Sequence, residues 1–178
     1  TDVSDRAYYT SKNIIENYYD KFYDIIQQIG KITELSNFPM HIEFRINKQG
    51  IAIPIEANPM RFAGMCMADM AYYAYGFNPY YYYLNQKEPN WYDILKDKND
   101  KQYNLTIADI SKDINLNDIE YIDYNAFEKD FKHPLDLRKM DYKTYPVFAF
   151  MFSETSENDT AEFKYFLKSD LKKYIIMK

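Results

Sequence analysis

The chain has 178 residues, 47% of them hydrophobic and 19% aromatic, which is enough for one domain or two small ones with a packed core. A net charge of -5 argues against a nucleic-acid-binding surface, and no run of about 18 apolar residues is present to span a membrane. Cys66 is the only cysteine, which excludes a disulfide framework and favours the reducing cytoplasm. The sequence starts at Thr1 rather than at a methionine, so we expect a piece of a longer protein.

The first strong pattern predicts an amphipathic helix over residues 11–30, with its apolar side facing the core. The residues at helical spacing are Ile14, Ile15, Tyr18, Tyr19, Phe22, Ile25, Ile26 and Ile29. Thr10 or Ser11 is suited to cap the start of this helix. Gly30 is suited to the left-handed position that follows its end.

Two antiparallel strands are predicted next, over residues 39–47 and 51–57, with a turn at Asn47-Lys48-Gln49-Gly50. Successive side chains of a strand point to opposite faces. We expect Ile46 opposite Ile51, Ile42 opposite Ile55, Glu43 opposite Pro54 and His41 opposite Glu56. This register places every isoleucine on one face and every charged residue on the other, with Glu43 and Glu56 as diagonal neighbours.

The remaining pattern predicts an α+β fold, an antiparallel sheet with helices packed on one face. Two helices are expected after the hairpin: one over 64–75, ended by Gly76, and a short one over 79–86, with Asn78-Pro79 at its start. A polar loop around a helical turn follows at 87–102, and the stretch near 85–100 is the expected internal boundary. The later elements are strands at 103–110, 118–124 and 146–154 and a closing helix at 160–176.

Oxygen-bearing side chains are concentrated on the hairpin. Glu43, Glu56 and Asn58 would supply three oxygens on one face, and Mg²⁺ prefers oxygen ligands from one or two carboxylates together with substrate phosphates. Arg61 and the start of the helix near Gly64 add positive charge and backbone N–H groups. Together these residues favour a site for a polyanion with its metal ion.

A plain solvated hairpin face is the alternative that the spacing leaves open. In that case Glu43 pairs with Arg45 or His41, Asn58-Pro59 forms only a turn, and Arg61 is a surface cation. Spacing alone does not separate the two interpretations.

The segment FPMHIEFRINKQGIAIPIEANPMRFAG resembles the C-terminal catalytic segment of the ATP-grasp superfamily. The resemblance implies that Glu43, Glu56 and Asn58 hold the Mg²⁺ of Mg-ATP and that Arg61 contacts the transferred phosphoryl group or the acyl-phosphate. His41 and Arg45, on the same face, are expected to hold a substrate carboxylate.

The resemblance also implies a domain organisation and a reaction. Residues 1–84 would be the C-terminal ATP-grasp lobe, with a metal-binding hairpin at 39–58, and residues 85–178 a family-specific extension. Similar enzymes join a small-molecule carboxylate to an amine or thiol, using ATP and Mg²⁺. We expect the nucleotide-binding lobe upstream of Thr1, the fragment alone to be inactive, and apolar surface that would allow a homodimer. The alternative is a non-catalytic binding module that keeps the fold of the lobe.

Overall fold

The computed structural model describes residues 6–64 and 66–178, which divide into two compact units. The hairpin unit is Lys12–Asp97, and the sheet unit joins the N-terminal segment that ends at Ser11 with Lys98–Lys178. Both are built from antiparallel strands with helices, which confirms the predicted α+β class. The assignment of 1–84 and 85–178 to a family lobe and an extension stays a prediction.

The hairpin unit contains four helices and one two-stranded sheet among its described residues. In chain order its elements are α1 (Lys12–Thr33), β2 (Met40–Ile46), β3 (Ala52–Pro59), α2 (Met67–Tyr75), α3 (Pro79–Leu84) and α4 (Trp91–Leu95). The predicted caps are confirmed for two of them. Gly76 ends α2 at φ 65°, and the Asn78 side chain accepts a hydrogen bond from Tyr81 N at the start of α3.

Helix α1 extends past its predicted end. Gly30 lies inside the helix, and the left-handed position is taken by Glu34 at φ 56°. Leu35 N donates to Gly30 O at 3.1 Å, a bond typical of Schellman-type helix ends. Gly30 is therefore not the residue after the helix, and the prediction was wrong at this point.

The predicted core-facing role of α1 was also wrong, because no residue of the helix is buried. Its main ring contact to the hairpin is Phe22, which stacks on Phe44 with centroids 4.4 Å apart. A helix with its side chains is about 10–12 Å across, whereas two paired strands are only about 5 Å apart, so a single hairpin offers a narrow surface for it. Ile26 remains 43% exposed and Ile32 82% exposed.

The sheet unit is built on a four-stranded antiparallel sheet with strand order β1-β4-β7-β6. Its strands and helices are β1 (Ala7–Ser11), β4 (Lys101–Asp109), β5 (Ile119–Ile122), α5 (Tyr124–Lys129), β6 (Pro134–Lys139), β7 (Val147–Ser156), α6 (Ala161–Lys168) and β8 (Ile175–Met177). Two short 3₁₀ helices lie at Leu116–Asp118 and Leu171–Tyr174. Strands β5 and β8 pair separately.

The core of the sheet unit is aromatic. Phe127 is fully buried, and its ring makes edge-to-face contacts with Phe131, Phe148, Phe166 and Tyr174 at centroid distances of 5.0–6.0 Å. Edge-to-face packing is a favoured geometry for aromatic pairs. This cluster fastens α5, α6 and the 3₁₀ helix Leu171–Tyr174 to the sheet.

The closing helix predicted over 160–176 is shorter and is followed by a strand. Helix α6 ends at Lys168, and Ser169 has an extended backbone at ψ 148°. The Asp170 carboxylate then accepts from Lys172 N and starts the 3₁₀ helix. The prediction failed because the end of that stretch, Ile175 and Ile176, pairs with β5 as part of β8.

An exposed ion pair in the sheet unit leads to a pH-dependent prediction. Lys172 Nζ donates to Asp113 Oδ2 at 2.7 Å, and with the Ser111 hydroxyl it lowers the pKa of Asp113 from 3.8 to about 2. A lowered folded-state pKa gives stability that is complete above pH 3.8 and is lost as the pH falls through about 2.

We therefore expect the urea midpoint of the wild type to exceed that of Asp113→Asn above pH 3.8, and the difference to shrink as the pH approaches 2. Circular dichroism during urea titration measures both midpoints. A difference that stays constant over this pH range would contradict the role given to the ion pair.

Of the helices that the structure describes, none has both the length and the apolar character needed to cross a membrane.

Candidate functional site on the hairpin

The hairpin pairs in a different register from the one predicted. Ile46 lies opposite Ala52 rather than Ile51, and Glu43 lies opposite Glu56 rather than Pro54. Two local features cause the shift. The connecting turn is one residue longer, and β3 carries an irregularity that leaves Ile55 without a partner between Pro54 and Glu56.

The turn is closed by the Asn47 side chain. Its Oδ1 accepts from Gln49 N and Ile51 N at 2.9 Å each, and the backbone of Asn47 donates to Ile51 O. Gly50 has φ 75°, a left-handed conformation that glycine adopts without strain. These bonds include Ile51 in the turn and start the ladder one residue later than the hydrophobic alternation suggests.

The irregularity at Ile55 follows a proline, which has no N–H for the ladder. On both sides of Ile55 the two strands pair residue by residue, but the isoleucines no longer lie on one face. Ile53 lies opposite Arg45 and so shares its face. The expectation that all isoleucines share a buried face was therefore wrong, and Ile51, Ile53 and Ile55 are 57%, 46% and 55% exposed.

The shifted register brings the two acids closer than predicted. Glu43 and Glu56 are direct cross-strand partners, and such partners have Cβ atoms about 4.5–5.5 Å apart on one face. His41 lies opposite Asn58, two residues along the same strand, and Arg45 lies two residues to the other side of Glu43. The five predicted residues of the two strands thus share one face.

The acidic face is open, whereas the opposite face carries Phe44 and is packed by Phe22 of α1. Glu43 and Glu56 are both exposed, and Asn58 is half-buried. Asn58 Nδ2 donates to Glu56 Oε1 at 2.6 Å. This bond commits the amide nitrogen and leaves the amide oxygen Oδ1 as the ligand atom of Asn58.

His41 differs from its neighbours on this face. Its Nδ1 atom is buried, and no residue in the described part of the chain gives it a hydrogen-bond partner. An unpaired buried nitrogen of this kind costs about 1–3 kcal/mol. Its strand position places the imidazole on the face of the acids, beside the proposed metal ligands.

Arg61, itself exposed, follows the hairpin in the segment 60–64. Met60, just before it, has φ 64° and donates from its backbone to Pro39 O at 3.0 Å, which fixes where the segment leaves β3. The guanidinium lies close to Gly64, where an added Cβ would come within 3.1 Å of Arg61 Nη1. The segment therefore folds back so that the cation lies over a residue without a side chain.

The helix expected to begin at Gly64 starts later. Met67 N donates to Gly64 O at 3.0 Å in a turn, and Cys66 takes the left-handed conformation at φ 62° before α2 begins at Met67. Met65, part of that predicted helix, lies outside the described residues. The helix start is thus three residues further from Arg61 than predicted.

Phe62 is a residue that the sequence analysis did not single out. Its ring packs edge-on against Tyr80 and Tyr83 of α3, at centroid distances of 4.7 and 5.9 Å. Two rings of the tyrosine run 80–83 therefore take part in packing. Only the position of Phe62 next to Arg61 could have indicated it in the sequence.

No group of three or more His, Cys, Asp or Glu side chains in the described residues is arranged to hold a metal ion. The hairpin offers instead two carboxylates and one amide oxygen. Such a set suits Mg²⁺, which keeps several waters and takes other ligands from substrate phosphates, better than a metal that needs a complete protein cage.

Comparison with known proteins supports the fold. Residues 1–69 match the family model of the ATP-grasp domain. The crystal structure of an L-amino acid ligase from Bacillus licheniformis is similar, with a TM-score of 0.60 at 16% sequence identity. The match covers 98% of this chain and 46% of that chain, so this chain spans less than half the length of that ligase. No protein of curated function matches the chain.

Residues 1–69 thus resemble the ATP-grasp domain, and the fold of the chain is similar to that of the L-amino acid ligase. The resemblance noted in the sequence is confirmed at this level. The fold is similar to that of an L-amino acid ligase, whereas the roles of the individual hairpin residues stay predictions.

Proposed function

We propose that the chain is the C-terminal catalytic part of an ATP-grasp ligase, which joins a small-molecule carboxylate to an amine or thiol with ATP and Mg²⁺. The observation that carries the proposal is the direct cross-strand pair of Glu43 and Glu56, with Asn58 bonded to Glu56 at 2.6 Å. Two carboxylates and an amide oxygen then converge on an open face.

The donor set fits a magnesium ion that comes with the nucleotide. Glu43, Glu56 and the Oδ1 atom of Asn58 offer oxygen ligands, and the exposure of both acids leaves room for phosphate oxygens and water. When bound, Mg²⁺ neutralises charge on the phosphates during transfer. The protein contributes by holding these oxygens on two paired strands, which are more rigid than a loop.

The proposed reaction has two steps. A carboxylate oxygen of the substrate attacks the γ-phosphorus of ATP, the bond to the β-phosphate oxygen breaks, and ADP leaves. The amine or thiol then attacks the carbonyl carbon of the acyl-phosphate and loses its proton, and inorganic phosphate leaves. Arg61 would place positive charge on the transferred phosphoryl group, where charge spreads over the equatorial oxygens.

His41 and Arg45 are proposed to hold the carboxylate of a substrate. Both share the face of the acids, and the buried Nδ1 of His41 lacks a partner in the described part of the chain. A carboxylate oxygen would accept hydrogen bonds from an imidazole N–H and from the guanidinium. The identity of the substrate is not specified by these residues.

Phosphate release from the full-length gene product tests the proposal. Mixtures of amino acids, other small carboxylates, amines and thiols are supplied with Mg-ATP. Release that needs a carboxylate, a nucleophile and Mg²⁺ together is the expected result, with mass spectrometry identifying the coupled product. ATP consumption that is independent of both substrates, or no consumption with any mixture, would contradict the ligase function.

A non-catalytic binding module is the second candidate, favoured by exposed apolar groups such as Tyr80 and Tyr81, each 48% exposed. The same exposure, with Ile51 and Ile55, would allow a homodimer. The lone cysteine supports a cytoplasmic location for either candidate. A purified protein that binds a partner and releases no phosphate in the assay above would favour the module.

A further inference from the structure

The segment that carries Arg61 is fixed by contacts that the sequence pattern did not indicate. Arg61 itself is exposed, and its backbone lies between a left-handed residue, Met60, and the turn at Gly64. A long exposed cation on a short connecting segment has many orientations. For Arg61 to act at a fixed place, its neighbours must restrict the segment.

Phe62 is the neighbour that makes specific contacts. Its ring meets Tyr80 edge-on at 4.7 Å and an interplanar angle of 75°, and Tyr83 at 5.9 Å and 77°. The two tyrosines are three residues apart and so lie on one side of α3. Phe62 therefore packs against a pair of rings on α3, Tyr80 and Tyr83, which we call the ring seat.

The seat is itself held by its helix start. Asn78 Oδ1 accepts from Tyr81 N at 3.2 Å, and Pro79 occupies the first helical position, where its fixed φ favours the helix. Tyr82 of the same helix packs on Phe77 at 4.6 Å, which secures a further ring. The rings that contact Phe62 thus belong to α3, a helix held by its capping bond at Asn78 and by the contact of Tyr82 with Phe77.

Gly64 supplies the second restriction. Because an alanine Cβ there would lie only 3.1 Å from Arg61 Nη1, the guanidinium is placed against the backbone of the turn. Phe62 fixes the segment on one side, and Gly64 leaves space for the guanidinium on the other.

We propose that Phe62, seated between Tyr80 and Tyr83, is a positioning residue that sets the orientation of Arg61 for phosphoryl transfer. This inference rests on the proposed function and deepens it. It predicts that loss of the ring seat lowers the rate of the chemical step and leaves nucleotide binding nearly unchanged, because Arg61 acts mainly on charge that develops in the transition state.

A matched pair of variants on one helix tests the seat. Tyr80 and Tyr81 are adjacent and equally exposed at 48%, but Tyr80 contacts Phe62 whereas Tyr81 contacts Lys87. In the full-length protein, Tyr80→Leu is expected to lower kcat about tenfold with little change in KM for ATP. Tyr81→Leu is expected to retain the wild-type kcat. Equal kcat values for the two variants would overturn the inference.

A double-mutant cycle separates positioning from general stability. Phe62→Ala is expected to lower kcat about tenfold in the wild-type background and less than about twofold in the Arg61→Ala background, because both changes remove the same interaction. Equal losses in both backgrounds would overturn the inference. If Arg61→Ala alone retained wild-type turnover, the role of Arg61 in the proposed function would fail instead.

A measurement without turnover keeps the inference testable on its own. The ¹H–¹⁵N heteronuclear NOE of the Arg61 Nε–H group reports fast motion of the side chain. It is expected to fall in Phe62→Ala and Tyr80→Leu and to stay at the wild-type value in Tyr81→Leu. An unchanged NOE in Phe62→Ala, with the fold intact by circular dichroism, would overturn the positioning role even if the ligase function stood.

Discussion

Replacement of Glu56 by glutamine is expected to lower Mg²⁺-dependent ATP turnover of the full-length protein by about 10²–10³-fold. Glutamine keeps the shape and an oxygen that can still accept from Asn58 Nδ2, but it removes the negative charge that faces the cation. Coupled phosphate release measures the rate. The far-ultraviolet circular dichroism spectrum should match the wild type, because Glu56 is exposed and glutamine keeps its backbone pairing with Glu43.

A charge-matched control is Glu120→Gln, which changes an exposed glutamate on β5 of the sheet unit. It is expected to leave turnover unchanged. Wild-type turnover in Glu56→Gln would reject the assignment of this carboxylate, and a loss of turnover in Glu120→Gln of the same size would show that the effect is not specific to the hairpin. Titration with Mn²⁺ in place of Mg²⁺ gives a second readout, since weaker cation binding raises the metal concentration needed for half-maximal rate.

Phe127→Ala is expected to have the largest effect on stability, a loss of about 3–5 kcal/mol in the free energy of unfolding of the sheet unit. Its side chain is fully buried and touches four other aromatic rings, so truncation leaves a cavity that the surrounding rings cannot fill without leaving their edge-to-face geometry. Urea unfolding followed by circular dichroism measures the change.

Tyr121→Ala is the control for this change, because Tyr121 lies on β5 near the same core and is 51% exposed. It should cost far less, since most of its ring is already in water. A loss below about 1 kcal/mol in Phe127→Ala would show that the core repacks around the missing ring, and would contradict the central position given to it.

The elements that the sequence predicted well are those whose signals are local. Gly76 has the left-handed conformation that ends α2, and Asn78 with Pro79 starts α3, because these residue types act on their own backbone within one turn. The strand at Val147–Ser156 was also predicted, since its apolar run is continuous.

The elements that the sequence missed depend on partners far along the chain. Strand β1 pairs with β4, about a hundred residues later, and β8 pairs with β5. A stretch as short as 175–177 shows no period that distinguishes a strand from the end of a helix, so its pairing with β5 decides. Helix α5 was missed because its single turn and a half is too short to show a period.

The sequence predicted which residues of the site share a face of the hairpin, but not which residues pair across its two strands. Alternation along β2 places His41, Glu43 and Arg45 together in any register, so that part required no knowledge of the partner strand. The pairing of Glu43 with Glu56 depended on the Asn47 turn and on the irregularity at Ile55, which hydrophobic alternation does not report.

That pairing sets two like charges across a ladder of only two strands, an arrangement that disfavours the hairpin when nothing lies between them. A divalent ion held there would remove the repulsion. The ion would then stabilise the folded hairpin in addition to its part in the reaction. If the proposed metal site is correct, order in the hairpin would increase with the magnesium concentration, so that the ion would act on conformation as well as on rate.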